Sequence, residues 1–303
     1  MDRLGTMEAF VAVVETGSFS AAAQRLRSSK SLVSRQVAAL EGELGARLFH
    51  RTTRSLALTE EGRGYHAQVV RILEDIAEAN AAVSNLQTAP RGRLRINAPM
   101  SFGYLHLAPA VPDFLALYPE VEIDLTMNDR YVDLVEEGVD LAVRLGRLGD
   151  SSLIARKLAP IRRVVCGSPD YFKKHGVPQT PEDLKQHVCL CYSNLAVADE
   201  WRFLRPDGSA WPVEVSGRLR ADNGDALREA ALKGLGLVYL PSFIIGRDLQ
   251  AATLVSVLTE YTPQDGGLYA VYPHARHLSP KVRAFIDFLA VRFGGQPYWD
   301  LVQ

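Results

Sequence analysis

Apolar residues Met7, Phe10, Val11, Val13 and Val14 recur at near-helical spacing and stop at Thr16-Gly17, predicting an amphipathic helix with a glycine at its C-terminal end. Ser18 or Ser20 offers an N-cap to a second helix over 21–26, where small alanines permit close packing. After Arg27-Ser28-Ser29, a third helix is expected to turn Leu32, Val33, Val37, Leu40 and Leu44 inward, with Lys30, Ser31, Ser34, Arg35 and Gln36 on its other face. Gly45 closes it, and residues 47–58 alternate like a two-stranded hairpin with a basic tip. Three short helices and a hairpin in this order predict a winged helix-turn-helix.

Thr59 then caps a long helix whose first turn holds Glu60 and Glu61. Its apolar positions Tyr65, Val69, Ile72, Ile76, Ala79, Val83 and Leu86 step alternately by four and three, the spacing of a heptad seam. About 30 residues at about 1.5 Å each make a rod of roughly 45 Å, too long and too narrowly apolar for burial in one small domain. Pairing with a second copy is its natural use. Thr88-Ala89-Pro90-Arg91-Gly92 breaks the helix.

Beyond Arg93, short apolar strands (94–98, 121–127, 141–145) alternate with amphipathic stretches read as helices ending near Leu117 and Glu137. A second set runs through 161–167, 188–192, 211–220, a helix over 225–233 and a strand over 236–240. Strand 267–272 and helix 280–293 finish the chain. This βαβ rhythm predicts mostly parallel, covered sheets in two α/β lobes with a cleft between them. The fold class is therefore α/β. Residues 1–58 are expected to form the winged helix-turn-helix, 59–89 the linker and dimerisation helix, and 90–303 the two-lobed body, with lobe I at about 90–160 and 267–303 and lobe II at about 161–266.

Net charge is -1, which by itself argues against a nucleic-acid partner. The distribution of charge along the chain argues the other way. Between Ser20 and Leu58 the basic residues are Arg25, Arg27, Lys30, Arg35, Arg47, Arg51 and Arg54, and the acidic ones only Glu41 and Glu43. One end of a near-neutral chain is thus built to face phosphates. Three cysteines are too few for a disulfide framework and fit a reducing compartment. The sequence opens without the apolar core of a signal peptide and holds no run of about 18 apolar residues, so the expected location is the cytoplasm and no membrane partner is expected.

The run FVAVVETGSFSAAAQRLRSSKSLVSRQVAALEGELGARLFHRTTRSLALTEEG resembles the DNA-binding segment of LysR-type transcriptional regulators almost position by position, in a subgroup whose wing reads Arg-Thr-Thr-Arg. RGRLRINAPMSFGYLHLAPAVPDFLALYPEVEIDL and DLVEEGVDLAVRLG resemble the effector domain of the same family, so the likeness covers essentially the whole chain. It implies a regulator, not an enzyme, whose body folds like periplasmic binding proteins. Such a protein binds double-stranded promoter DNA as a homodimer or homotetramer and changes DNA geometry when a small molecule enters the cleft. That effector, of unknown identity, is the one ligand implied; no cofactor is. RNA polymerase is left open as a further partner.

The DNA contacts fall on Lys30, Ser31, Leu32, Ser34, Arg35 and Gln36. Arg35 has the geometry to donate twice to a guanine and Leu32 to touch a thymine methyl. Arg51, Thr52, Thr53 and Arg54 form the wing, where a narrow minor groove attracts arginine. In a sheet cleft, strand C-termini and helix N-termini surround the ligand. That places Ser101 and Phe102 after the first strand, Asp129 after the second, Tyr192, Ser193 and Asn194 on the opposite lobe, and Asn223 before helix 225–233. Ser101 matches a serine with which some family members hold a carboxylate; Asp129 falls where others have threonine, which puts that carboxylate site in question.

Cys189 and Cys191 invite a redox reading, but same-face strand cysteines pair poorly and small buried thiols are common. His274 and His277 lack a third metal ligand and read as surface residues, so no metal site is assigned. An enzyme lacks support, since no G-x-S-x-G elbow, phosphate loop or dinucleotide fingerprint occurs and no catalytic residue is assigned. A solute-binding protein would explain the last two-thirds of the chain but not the first third.

Overall fold

The computed structural model describes residues 2–51, 56–83, 89–130, 133–146, 153–194, 199–263, 266–273 and 278–300. The chain forms two compact units, 1–88 and 89–303.

In the first unit, α1 (Arg3–Thr16) is capped by Asp2, whose carboxylate accepts from Gly5 N at 3.0 Å, and is closed by Gly17 at φ 65°. Ser18 caps α2 (Phe19–Arg25), and Ser29 Oγ accepts from Leu32 N at 3.2 Å to cap α3 (Lys30–Leu44), which Gly45 ends in the left-handed region. Phe10, Val13, Ala22, Val33, Val37 and Leu40 make the core between these helices. Leu32 does not join it. Val33, Val37 and Leu40 already fill the buried stripe at helical spacing, and Leu32 stands 41% exposed in the first turn.

Strands β1 (Phe49–Arg51) and β2 (Leu56–Leu58) pair antiparallel; the expected wing tip, Thr52, Thr53 and Arg54, lies outside the described residues. Glu41 fastens this hairpin to α3, accepting from Leu48 N at 2.8 Å and Phe49 N at 3.3 Å. Thr59 Oγ1 accepts from Gly62 N at 2.9 Å and donates to Arg47 O at 2.7 Å, fixing the start of α4 (Glu60–Val83). The heptad expectation changes here. Val69 is fully buried in this unit's own core and the Tyr65 ring packs tilted against Phe10, centroids 5.6 Å apart, because the first turns of α4 lie on α1. Farther along, Ile72 is 41% exposed and Ile76 half-buried; Leu86 lies outside the described residues.

The second unit begins with β3 (Gly92–Ala98), β4 (Val121–Met127), β5 (Leu141–Gly146) and β6 (Ile154–Ile161), and β14 (Gly266–Tyr272) returns to them. They form one sheet in the order β4-β3-β5-β14-β6, parallel around β3 and antiparallel around β14. Helix α5 (Met100–Phe102) runs on as a π-helical turn over Gly103–Leu107, then α6 (Val111–Leu117) leads to β4. The helix expected before Glu137 is a turn in its described part. Asp133 Oδ1 accepts from Val135 N and Glu136 N, and Gly138 at φ 65° reverses the chain too soon for a helix.

In the other lobe, β7 (Arg163–Gly167) lies between β12 (Val238–Pro241) and β13 (Val255–Val257), antiparallel to both. The expectation of mostly parallel sheets therefore fails in this lobe, where among the described residues parallel pairing is confined to β8 (Cys191–Tyr192) with β11 (Arg220–Ala221) and a bridge from Cys189 to Leu237. The single strand expected over 211–220 is split. A hairpin of β9 (Glu200–Leu204) and β10 (Ala210–Glu214) precedes β11. Around these pack α7 (Pro169–His175), α8 (Gly224–Leu232) and α9 (Ser242–Gln250), while α10 (Pro280–Phe293) covers the first lobe's sheet. The chain passes between lobes after β6 and again before β14, which leaves a cleft between them.

Candidate nucleic-acid interface and ligand cleft

On α3, Lys30, Ser31, Leu32, Ser34 and Arg35 are all exposed on the face opposite the core. Within the described residues no hydrogen bond or ion pair engages the side chain of Lys30 or Arg35, whereas Arg25 is paired with Glu15 at 2.5 Å. Ser31 Oγ lies 3.0 Å from Ser29 Oγ at the helix start. Gln36 differs: it is half-buried and its Nε2 donates to Gly5 O at 3.4 Å, directing it toward α1. Arg51 lies on β1.

The cleft of the second unit encloses about 590 Å³. Ser101, Asp129, Tyr192 and Asn194 line it; Phe102, Ser193 and Asn223 do not. Phe102 is fully buried, its ring 5.3 Å from Phe243 and 5.4 Å from Phe293, so it supports α5 from behind. Asn223 caps α8 by accepting from Ala226 N at 3.0 Å. Ser193 engages through its backbone, N–H to Ala221 O at 2.9 Å.

Ser101 Oγ donates to Asp225 Oδ2 at 2.6 Å, joining the two lobes. Asp129 Oδ1 accepts from Met100 N at 2.9 Å, so a carboxylate of the chain itself sits on the N-terminus of α5. Burial pushes the Asp129 carboxyl above its ordinary pKa, as do Asp222 and Asp225, against the pull of the Met100 N–H and a hydrogen bond from Tyr192. Asn194 Nδ2 donates to Asp222 O at 3.2 Å.

Three arginines that the sequence pattern did not single out also line the cleft: Arg130, Arg144 and Arg163. Arg144 Nη1 donates to Asn97 Oδ1 at 2.6 Å. Arg163, at the start of β7, holds its guanidinium 5.8 Å from the Tyr239 ring, and burial lowers its pKa. The available signal was a charged residue inside an otherwise apolar strand pattern in LAVRLG, and one opening such a pattern in RVVCG. Tyr239, Leu145, Leu240, Phe243 and Ile244 supply apolar walls.

A smaller cavity of about 260 Å³ shares Phe243 and Ile244 and is lined by His106, Asp225, Arg228, Arg247, Tyr298 and Trp299. His106 is buried there, Nδ1 2.5 Å from Tyr298 Oη and Nε2 3.0 Å from Phe243 O. The three cysteines are buried and unpaired, and burial raises all three thiols, Cys189 to about 12. That favours a packing role over thiolate chemistry. His274 and His277 lie outside the described residues. Among the described residues, no cluster is placed to hold a metal ion, and no helix is long and apolar enough to cross a membrane.

A basic helix-turn-helix followed by a two-lobed α/β body with a central cleft defines a ligand-responsive transcription regulator. Residues 4–63 match the family described as bacterial regulatory helix-turn-helix protein, lysR family, and residues 87–294 match the LysR substrate binding domain. The chain belongs to the LysR family of transcriptional regulators. It is 38% identical over 286 residues to the regulator CrgA of Neisseria meningitidis serogroup C, covering 94% of this chain and 95% of that one. The solved structure of CrgA from Neisseria meningitidis superposes with a TM-score of 0.62 at 37% identity, covering 96% of this chain and 99% of CrgA. Full-length AphB, the Vibrio cholerae virulence activator, gives 0.59 at 31% identity, covering 94% and 98%. The protein is thus a DNA-binding regulator with a domain for a small-molecule effector, and its relatives are regulators, not enzymes.

Proposed function

We propose that Lys30, Ser31, Leu32, Ser34 and Arg35 read promoter DNA in the major groove, with Arg51, Thr52, Thr53 and Arg54 at the minor groove beside it. The carrying observation is the bare face of α3: two cations without a partner among the described residues flank an exposed leucine on an otherwise polar surface. Gln36, tied to Gly5, acts by steadying α3 on α1. Two copies pair through the distal half of α4, where Ile72 and Ile76 lie beyond the part packed on α1, and the dimers associate as tetramers. The interlobe cleft takes the effector, and no other cofactor is needed. The protein works in the cytoplasm, where RNA polymerase is its partner at promoters it activates.

Arg35→Ala tests the DNA face. With an operator obtained by in vitro selection, the change weakens specific binding by about 1–3 kcal/mol and relaxes base preference at one position of each half-site. An equal loss on operator and random DNA would move Arg35 from base reading to phosphate contact.

A further inference from the structure

We propose that the ligand of the interlobe cleft is an acid with an apolar or aromatic body, its anionic group paired with Arg163 rather than seated at the N-terminus of α5. This rests on the reading of the cleft as the effector site.

A helix N-terminus in a sheet cleft ordinarily offers free N–H groups to a ligand anion. Here the Met100 N–H is taken by Asp129, and the Ser101 hydroxyl proton goes to Asp225. An anion arriving at that end meets Asp129 and Asp225, with Asp222 close enough to raise the Asp129 pKa. The like charge of these carboxylates opposes it, and two of the donors at that end are already engaged.

Elsewhere the cleft has the opposite sign. Arg130, Arg144 and Arg163 line it, against Asp129 as the one acidic residue among the described lining residues. Arg163 has no carboxylate partner among the described residues; it faces the Tyr239 ring, with Tyr192 near enough to interact electrostatically. A guanidinium drawn from water without a counter-charge is costly, and a bidentate carboxylate satisfies it. Arg144, on the lobe facing Arg163, is oriented by Asn97 of its own sheet and adds to the positive field. Leu145, Leu240, Phe243, Ile244 and the rings of Tyr192 and Tyr239 offer apolar wall for the rest of the ligand. A volume of about 590 Å³ suits a one- or two-ring acid.

The test is thermal shift of the full-length protein with benzoate, phenylacetate and indole-3-acetate at about 5 mM, each against its uncharged amide. At least one acid raises Tm while its amide does not. Arg163→Met weakens that acid by about 30-fold or more, Arg163→Lys restores part of the loss, and Asp129→Asn tightens binding. Equal shifts from acid and amide, undiminished acid binding in Arg163→Met, or no response to any acid overturns the proposal. Operator binding separates it from the reading beneath it. Acids that bind through Arg163 yet leave operator affinity and bending unchanged uphold the ligand class and remove the effector role. A neutral compound that alters operator binding from the cleft does the reverse.

Discussion

His106 shows how one residue couples burial to pH. Its ring is enclosed by Phe102, Phe243, Tyr298 and Trp299, and its electrostatic neighbours are Arg247 and Asp225. Burial lowers its pKa below the ordinary histidine value, a pull that the Phe243 carbonyl and Asp225 oppose and Arg247 reinforces. The unfolded chain takes up a proton near pH 6.5, while the native ring resists it to lower pH. Stability from the neutral ring is therefore complete above about 6.5 and drains away as pH falls toward the folded pKa. Denaturant midpoints followed by near-UV signal decline between pH 7 and pH 5 in the wild type. His106→Gln flattens that decline, and an equally steep profile in the variant would assign it to other groups. The sequence pattern gave little warning of this cage, since Phe243 and Tyr298 lie 137 and 192 residues from His106 along the chain. Arg163 had a local signal, a cation opening an apolar strand, but the Tyr239 ring it faces lies far along the chain. By contrast, Lys30 and Arg35 were legible because helical periodicity alone fixes which face of α3 they share.

At the level of elements, capped helices were readable and short strands were not. Ser18 starts α2, and Gly17 and Gly45 end α1 and α3, as their local chemistry reads; Asp2 and Ser29 also cap α1 and α3, which the pattern had not singled out. Strands β8 and β11 have two residues each and draw their order from β12, α8 and the Cys189 bridge, none of which a local window contains. Residues Tyr65 and Val69 carry the period of a dimer seam but lie against α1, because a heptad pattern states which face is apolar and not what covers it. The junction of hairpin and α4 is equally specific. A methyl group on Gly62 would overlap the Leu48 carbonyl oxygen, which itself accepts from Thr59 N at 3.0 Å. Gly62→Ala is expected to cost about 1–3 kcal/mol by forcing α4 from the hairpin. Hydrogen exchange of α1 and α3 amides in the full chain should quicken by about ten-fold or more, with β3 and β14 unaffected. Unchanged exchange in α1 would mean that the hairpin yields at no cost.

At the scale of the whole molecule, a net charge of -1 conceals the basic segment that includes Lys30, Arg35, Arg47 and Arg51. Affinity for DNA follows the local charge, since each phosphate neutralised releases condensed counterions whatever the remainder of the chain carries. Two such segments in a dimer, each contacting about four phosphates, give a slope of log K against log salt near -7. Binding then weakens by about 10³-fold or more between 50 and 200 mM salt, despite a sequence pI near 6.7. Footprints should show dyad symmetry with half-sites about one helical turn, or a multiple of it, apart. The Arg35→Ala variant separates the contributions at this scale. If Arg35 reads a base, the variant lowers specific affinity at every salt concentration; if it only neutralises phosphate, the slope falls by about one unit per copy and preference for the operator persists. A shallow slope with single asymmetric half-sites would mean that one head binds alone, and pairing through α4 would then have no part in recognition.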